Sequence, residues 1–277
     1  MGKSDSILIS IGGGEMTEAP QVVDEILGLL MKKEDSGIVV MTVATNEPES
    51  AADKYRSLFR GRGVKHVNVV DISEREHGFD EASLKKVREA DALFFTGGDQ
   101  LNVTSLMGGT PLHNLIQERF NEGFIIAGTS AGAAMMSSWM IISGGAGNPP
   151  MVGGVEFAPG MDLMEGTVID THFSQRARHG RLLTAIAHYP QAIGIGIDER
   201  TAMVVRRNEF KVIGEGIVTV VDGARMQHCD LPYRENQQPI GMFDVAVHVL
   251  PAGYKYDLKT RRPIAPTLTK LAGTSGG

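Results

Sequence analysis

Phe124-Ile125-Ile126-Ala127-Gly128-Thr129-Ser130-Ala131-Gly132-Ala133 is the stretch from which the rest of this chain is read. Four apolar residues make a run of the length of a buried strand, and Gly-x-Ser-x-Gly follows at once, the pattern of a tight strand-to-helix turn that exposes a serine. Small residues on both sides of Ser130 fit such a turn, because a bulkier side chain clashes where the backbone doubles back. Ser130 is therefore the candidate nucleophile, and the N–H of Ala131, opening the next helix, is a candidate oxyanion donor. The charge-free stretch 124–142 is broken by Gly128, Thr129, Ser130, Gly132, Ser137 and Ser138. It reads as a buried strand plus a helix and not as a membrane span.

Working outward, β-rich runs recur at Ile7–Ile11, Ile38–Val43, His66–Ile72 and Leu93–Thr96, and segments such as Ser50–Phe59 and Glu81–Glu89 carry apolar residues at helical spacing. Alternating strands and helices predict a three-layer α/β fold, a mostly parallel sheet with helices on both faces. Ligand sites in such sheets form beyond the carboxyl ends of the strands. Small or polar residues follow most of these strands: Gly12-Gly13-Gly14, Ala44-Thr45-Asn46, Gly97-Gly98-Asp99 and Gly128-Thr129-Ser130. After about Ala192 the runs Ala192–Ile197, Ala202–Arg206, Lys211–Val221 and Phe243–Leu250 alternate and are joined by short turns, which predicts an antiparallel extension of the sheet in the C-terminal part.

The 277 residues, 42% apolar and 22% charged, suffice for one large α/β domain spanning 1–277, with a Thr, Gly and Ser-rich tail over 267–277 expected to be flexible. A net charge of −6 argues against nucleic acid or an anionic membrane as the main partner. The single cysteine, Cys229, leaves no internal disulfide and fits a reducing compartment. The first six residues are mostly polar and Ile7–Ile11 is too short for the apolar region of a leader, so the expectation is a cytoplasmic protein. No histidine and carboxylate cluster has metal-ligand spacing, and neither a metal nor another cofactor is expected. A homodimer is a base-rate expectation for hydrolases of this size.

A nucleophilic serine needs a base, and His172, just past the predicted strand Thr167–Thr171, is the candidate among eight histidines; His179 sits further into the next helix. The residue that orients His172 is left open between Asn148, Glu156 and Asp170, because no carboxylate occurs from Ala131 to Val155. Gly98 N–H is the candidate second oxyanion donor, beside Asp99, a candidate helix cap, and the amide of Gln100. Arg176, Arg178 and Arg181 follow His172 within ten residues and suit carboxylate-rich substrates, since guanidinium groups bind carboxylates bidentately. Asp198-Glu199 adds two acids after another strand, which either receive a cationic substrate group or pair with the arginines.

Taken together, GGDQ at 97–100, GTSAGA at 128–133, DTHFSQRARHGRL at 170–182 and DER at 198–200 resemble the cyanophycinases, serine-type hydrolases of peptidase family S51, which also holds α-aspartyl dipeptidases. The resemblance covers roughly residues 7–202. It implies a class-I glutamine-amidotransferase-like, flavodoxin-like fold and exopeptidase hydrolysis of cyanophycin, multi-L-arginyl-poly-L-aspartate, to β-Asp-Arg dipeptides by an acyl-enzyme route. It implies Ser130 as nucleophile, His172 as base, and Gln100, Asp170, Arg176, Arg178, Arg181 and Glu199 as substrate-binding positions. Two positions depart from the pattern: Thr171 stands where glutamine is expected, and the loop after the elbow has only Asn148 where the acidic triad member is expected.

Partners on this reading are the polymer or β-aspartyl peptides, with no nucleic acid and no membrane. Two alternatives differ in class or substrate: an aspartyl dipeptidase for short Asp-X peptides, and a non-catalytic binding protein on the same fold. An α/β-hydrolase esterase would instead use a late histidine, His228 or His248.

Overall fold

The computed structural model describes residues 5–30 and 35–267, so most of the tail expected to be flexible lies outside the described residues. Strands and helices alternate as expected through the first half: β1 (Ile7–Ile11), α1 (Pro20–Leu30), β2 (Gly37–Met41), α2 (Pro48–Arg60), β3 (His66–Val70), α3 (Glu81–Glu89), β4 (Ala92–Phe95), α4 (Gln100–Met107), α5 (Pro111–Asn121) and β5 (Ile125–Thr129). Proline opens α2 and α5, where its missing N–H has no intrahelical partner to lose. Asp80 caps α3 through Ser83 N (2.9 Å), and Thr110 caps α5 through His113 N (3.3 Å).

β5 pairs in parallel with β1 on one side and β4 on the other, which is why its sequence is apolar without alternation. Odd-numbered residues of β1 (Ile7, Ile9, Ile11) pack with α1 and α2 through Val22, Val23, Ile26, Leu58 and Phe59. Leu8 joins the opposite layer, built on Val39, Leu93 and Ile126 and covered by α3, α4 and α5. The period of two thus sorts the strands' side chains between the two helical layers.

The motif glycines are explained by close approach. α6 (Ala131–Ala134) is one turn, and a Cβ on Gly132 would stand 2.5 Å from the carbonyl oxygen of Phe95, while one on Gly128 would overlap the carbonyl of Gly132. The expected longer helix does not follow. Met161 N–H takes the carbonyl of Met135 (2.6 Å) and Met164 N–H that of Met136 (2.8 Å), so the chain leaves α6 into β6 (Trp139–Gly144), hairpin-paired with β7 (Val155–Pro159).

The remaining elements are β8 (Thr167–Thr171), α7 (His179–His188), β9 (Ile193–Ile197), β10 (Thr201–Arg206), β11 (Glu209–Gly214), β12 (Ile217–Asp222), β13 (His228–Cys229), β14 (Met242–Phe243), β15 (Ala246–Pro251), β16 (Lys255–Asp257) and β17 (Arg262–Ile264). The antiparallel extension is present as β10, β11, β16 and β17 beyond β1, completing a sheet ordered β17-β16-β11-β10-β1-β5-β4-β2-β3. A second sheet is ordered β15-β12-β9-β8, with β9 parallel to β8, and β13 pairs with β14 alone. Lys211–Val221 is therefore not one strand. It breaks at Gly214 (φ 105), where a Cβ would overlap the Arg200 carbonyl, and β12 passes to the second sheet.

In β9, Ile193, Ile195 and Ile197 face the layer between the sheets, while Gly194 and Gly196 make room for Leu182 and Ile186 of α7 and for the ring of Phe173. Among the described residues no helix is long and apolar enough to cross a membrane.

Candidate active site

The carboxyl ends of the two sheets meet at Gly12, where a Cβ would overlap the carbonyls of Ile197 and Asp198. Ser130 reaches this junction from β5 with φ 53 and ψ −112, a conformation that costs a non-glycine residue energy and is held by the surrounding turn. Its N–H donates to Ile11 O (3.0 Å). Its Oγ lies 2.9 Å from Nε2 of His172.

His172, one residue past β8, also has positive φ (48) and donates its N–H to Gly12 O (2.7 Å). A Cβ on Gly13 would overlap the imidazole, so the first glycine loop is a seat for this histidine. Nδ1 is 2.6 Å from Oε1 of Glu199. An ionised carboxylate only accepts, so Nδ1 carries the proton and Nε2 is left to accept from the Ser130 hydroxyl.

Glu199, which the resemblance implies as a substrate-binding position, is here the partner of the imidazole. Its N–H donates to Gln175 Oε1 (3.0 Å), and its carbonyl accepts from Thr201 Oγ1 (3.0 Å). The buried Asp198 accepts from Ser174 N (3.0 Å) with one oxygen and from Ile217 N (3.2 Å) with the other. Its carboxylate therefore ties the segment carrying His172 to the segment carrying Glu199.

The three residues considered for orienting His172 lie elsewhere. Asp170, 2% exposed, is taken by Arg181 through Nε (2.6 Å) and Nη2, by Arg178 Nη1 (3.3 Å), and by Thr171 N (2.9 Å). Its oxygens are satisfied by these partners and not by the imidazole. Glu156 is exposed on β7 opposite Ser143, and Asn148 is exposed in the loop between β6 and β7.

Arg178 also donates to Thr171 O (2.6 Å), so two of the three arginines are held in a half-buried network and Arg176 is the exposed one. Burial pulls the Arg178 guanidinium down to about 10 despite Asp170, with Arg181 and Arg176 adding to the fall. Arg178 stays charged at neutral pH.

The Gly97-Gly98 turn lies against the same serine, with a Cβ on Gly97 standing 3.4 Å from Ser130 Cβ. Gly98 has φ 143, and a side chain there would overlap the Ala44 carbonyl. Asp99 caps α4 through Leu101 N (2.9 Å), and Gln100 Nε2 donates to Ile141 O (2.6 Å), fastening α4 to β6. Ala131 N–H heads α6, where an N–H has no intrahelical acceptor.

Burial lowers the His172 pKa below the ordinary 6.5; the hydrogen bond that Nδ1–H donates to Glu199 opposes this, and Arg176 and Arg178 add to the lowering. Only a neutral imidazole can accept a proton from the hydroxyl 2.9 Å away, so a lowered pKa extends that capacity to more acid pH. The acid limb of kcat/KM, which reports the free enzyme, is expected to have its midpoint below 6.5. In Arg176→Gln it should move upward, because a cationic neighbour has gone. Profiles of the two proteins decide this; a wild-type midpoint above 6.5, or no upward movement in the variant, contradicts it.

The family model described as peptidase family S51 matches residues 7–213. A cyanophycinase of Geminocystis herdmanii is 37% identical over 233 residues, covering 83% of this chain and 86% of the relative. Cyanophycinases of Trichormus variabilis (34%, covering 85% of this chain and 79% of the relative) and Synechococcus elongatus (33%, covering 82% and 71%) are also similar. Among solved structures, a peptidase from an acI-B1 Actinobacterium superposes with a TM-score of 0.63 at 22% identity, covering 90% of this chain and 99% of that one. A putative peptidase E from Listeria monocytogenes EGD-e gives 0.52 at 16%, covering 77% and 99%. At these identities the two structures speak for the fold, which is flavodoxin-like and class-I glutamine-amidotransferase-like as the motifs implied. The chain belongs to peptidase family S51 and is a serine-type peptidase.

Proposed function

We propose that the chain hydrolyses cyanophycin to β-Asp-Arg dipeptides, with Ser130 as nucleophile, His172 as general base and acid, and Glu199 as the group that orients His172. The observation that carries this reading is the unbroken chain Ser130 Oγ, His172 Nε2, His172 Nδ1, Glu199 Oε1 at 2.9 and 2.6 Å, set beside a cluster of three arginines.

Ser130 Oγ bonds to the scissile carbonyl carbon as Nε2 takes its proton. The developing oxyanion is received by the N–H of Ala131, with the N–H of Gly98 across the cleft as second donor. His172, now an imidazolium paired with Glu199, gives the proton to the leaving amine as the C–N bond breaks. Water, deprotonated by the same imidazole, then hydrolyses the acyl-enzyme.

Each repeat of the polymer carries a free carboxylate and a guanidinium on its arginine. The exposed Arg176 supplies the complement to the carboxylate.

Incubation of the purified protein with cyanophycin, followed by mass spectrometry of the soluble products, tests the proposal. β-Asp-Arg as the released product is the expected result. Cleavage of Asp-X dipeptides with the polymer left intact would replace this reading by the dipeptidase. No turnover at all, with Ser130 inert to a fluorophosphonate probe, would replace it by a binding protein.

A further inference from the structure

A second concentration of arginines lies at the opposite end of the strands that carry His172 and Glu199. Asp222 at the end of β12 pairs with Ile193 at the start of β9, whereas Glu199 lies just past the end of β9. Six residues of extended chain separate these two points, roughly 20 Å. There the two sheets part, and a cleft of about 580 Å³ opens between β12 and β15 of one and the β16–β17 connection of the other.

Arg225, Arg261 and Arg262 line this cleft with His248, and Asp222 is its one carboxylate. That carboxylate is already engaged. Arg261 reaches across from the larger sheet to Asp222 Oδ1 (2.5 Å) and to Gln191 O. Arg225 and Arg262 are exposed and make no ion pair among the described residues.

Tyr256 of β16 is fully buried, and its hydroxyl has no hydrogen-bond partner among the described residues. The ring of His248 lies 5.8 Å from that of Tyr256. Burial and the charge of Asp222 push the phenol up to about 12, while Arg261 draws it down. The two exposed guanidinium forks and the half-buried imidazole form a set of donors around one cleft, in a chain whose net charge is −6.

We propose that this cleft is a second carboxylate-binding site, which holds arginyl carboxylates of the polymer some distance along the chain from the residue being cleaved. The assignment of the carboxylates to cyanophycin rests on the substrate reading above. A polymer held at both places presents its end to Ser130 at a raised effective concentration, with no new contact at the catalytic centre. The backbone advances at most about 3.6 Å per residue, so at least about six repeats are needed to span the two places.

The test uses oligomers of two to twelve repeats with the full-length protein and with the double variant Arg225→Gln, Arg262→Gln. A third protein, Lys85→Gln with Arg60→Gln, makes the same change of net charge on α3 and α2. Hydrolysis is followed in each, and binding is followed by calorimetry in the Ser130→Ala background, where the ligand stays intact.

In the wild type, KM is expected to fall about tenfold once the oligomer passes roughly six repeats. That fall should be lost in the Arg225/Arg262 variant, retained in the charge control, and accompanied by unchanged kcat and unchanged KM for two repeats. KM values that track each other at every length, or that rise equally for two and twelve repeats, would overturn the site. So would displacement by inorganic phosphate with no dependence on oligomer length, which would mark a small-anion site. If long oligomers bind with the expected difference but none is cleaved, the substrate reading fails and the site stands. If they bind equally to wild type and variant, the site fails whatever is cleaved.

Discussion

Ser130→Ala is expected to lower kcat on the polymer by about five to six orders of magnitude, the scale seen when a triad nucleophile is removed. The substitution deletes the atom 2.9 Å from His172 Nε2 and leaves His172, the arginines and the proposed oxyanion donors in place. What survives is catalysis by donors and positioning alone, with water attacking directly. Ser130 is not part of a packed core, and it sits in a turn whose shape is set by Gly128 and Gly132. The variant should therefore fold, with an unchanged circular dichroism spectrum and a melting temperature within a few degrees of the wild type. Alanine bears the unfavourable φ of 53 no better than serine, so relief of strain does not enter. Loss of less than a hundredfold in a correctly folded variant would remove Ser130 from the nucleophile's role.

Why was Ser130 legible in the sequence when Glu199 was not? The elbow is a local signal: a buried strand, two glycines demanded by contact with Phe95 and with their own turn, and a serine between them. The same holds for β1, β2 and β4, apolar runs followed by small or polar residues, and for His172, announced by the strand β8 that precedes it. Glu199 depends on a non-local fact, the direction of β9. The alternating pattern after Ala192 reads as antiparallel, but β9 is parallel to β8, with Thr171 opposite Ile197. That register sets His172 beside Asp198 and brings Glu199 to the imidazole. Alternation in β9 arises because Gly194 and Gly196 accommodate α7 and Phe173, so it reports packing on one face and says nothing of strand direction.

The arginine cluster shows the complementary failure. Residue types alone offered three guanidinium groups to a substrate, whereas the fold turns Arg181 and Arg178 onto the buried Asp170. A buried carboxylate must find partners, and residues eight and eleven positions on, across the turn into α7, supply them. The cluster is thereby fixed in place, and its one exposed member is Arg176.

Glu199→Gln should separate the roles of the two acids near His172. Glutamine keeps the shape of the side chain, and the bonds that hold residue 199 are made by its backbone N–H and carbonyl, so the segment should remain where Asp198 and Thr201 place it. The change is in the proton. The amide nitrogen can now donate to Nδ1, which favours the tautomer protonated on Nε2, and an imidazole of that form cannot accept from the Ser130 hydroxyl. The amide also gives up the charge that stabilises the imidazolium during proton transfer. Together these effects are expected to lower kcat by about 10³ to 10⁴ with little change in melting temperature, the scale of the equivalent change in a Ser-His-Asp triad.

Asp170→Asn should behave in the opposite way. It leaves the 2.6 Å contact between His172 and Glu199 intact but strips the Arg178 and Arg181 guanidinium groups of their buried counter-charge, at a cost of about 3 kcal/mol or more of stability. Its signature is a lowered melting temperature, with kcat per folded molecule far less affected than in Glu199→Gln. Measuring kcat and thermal unfolding on both variants decides the assignment. A Glu199→Gln protein retaining a tenth of its activity, next to a stably folded and inactive Asp170→Asn, would return the orienting role to Asp170.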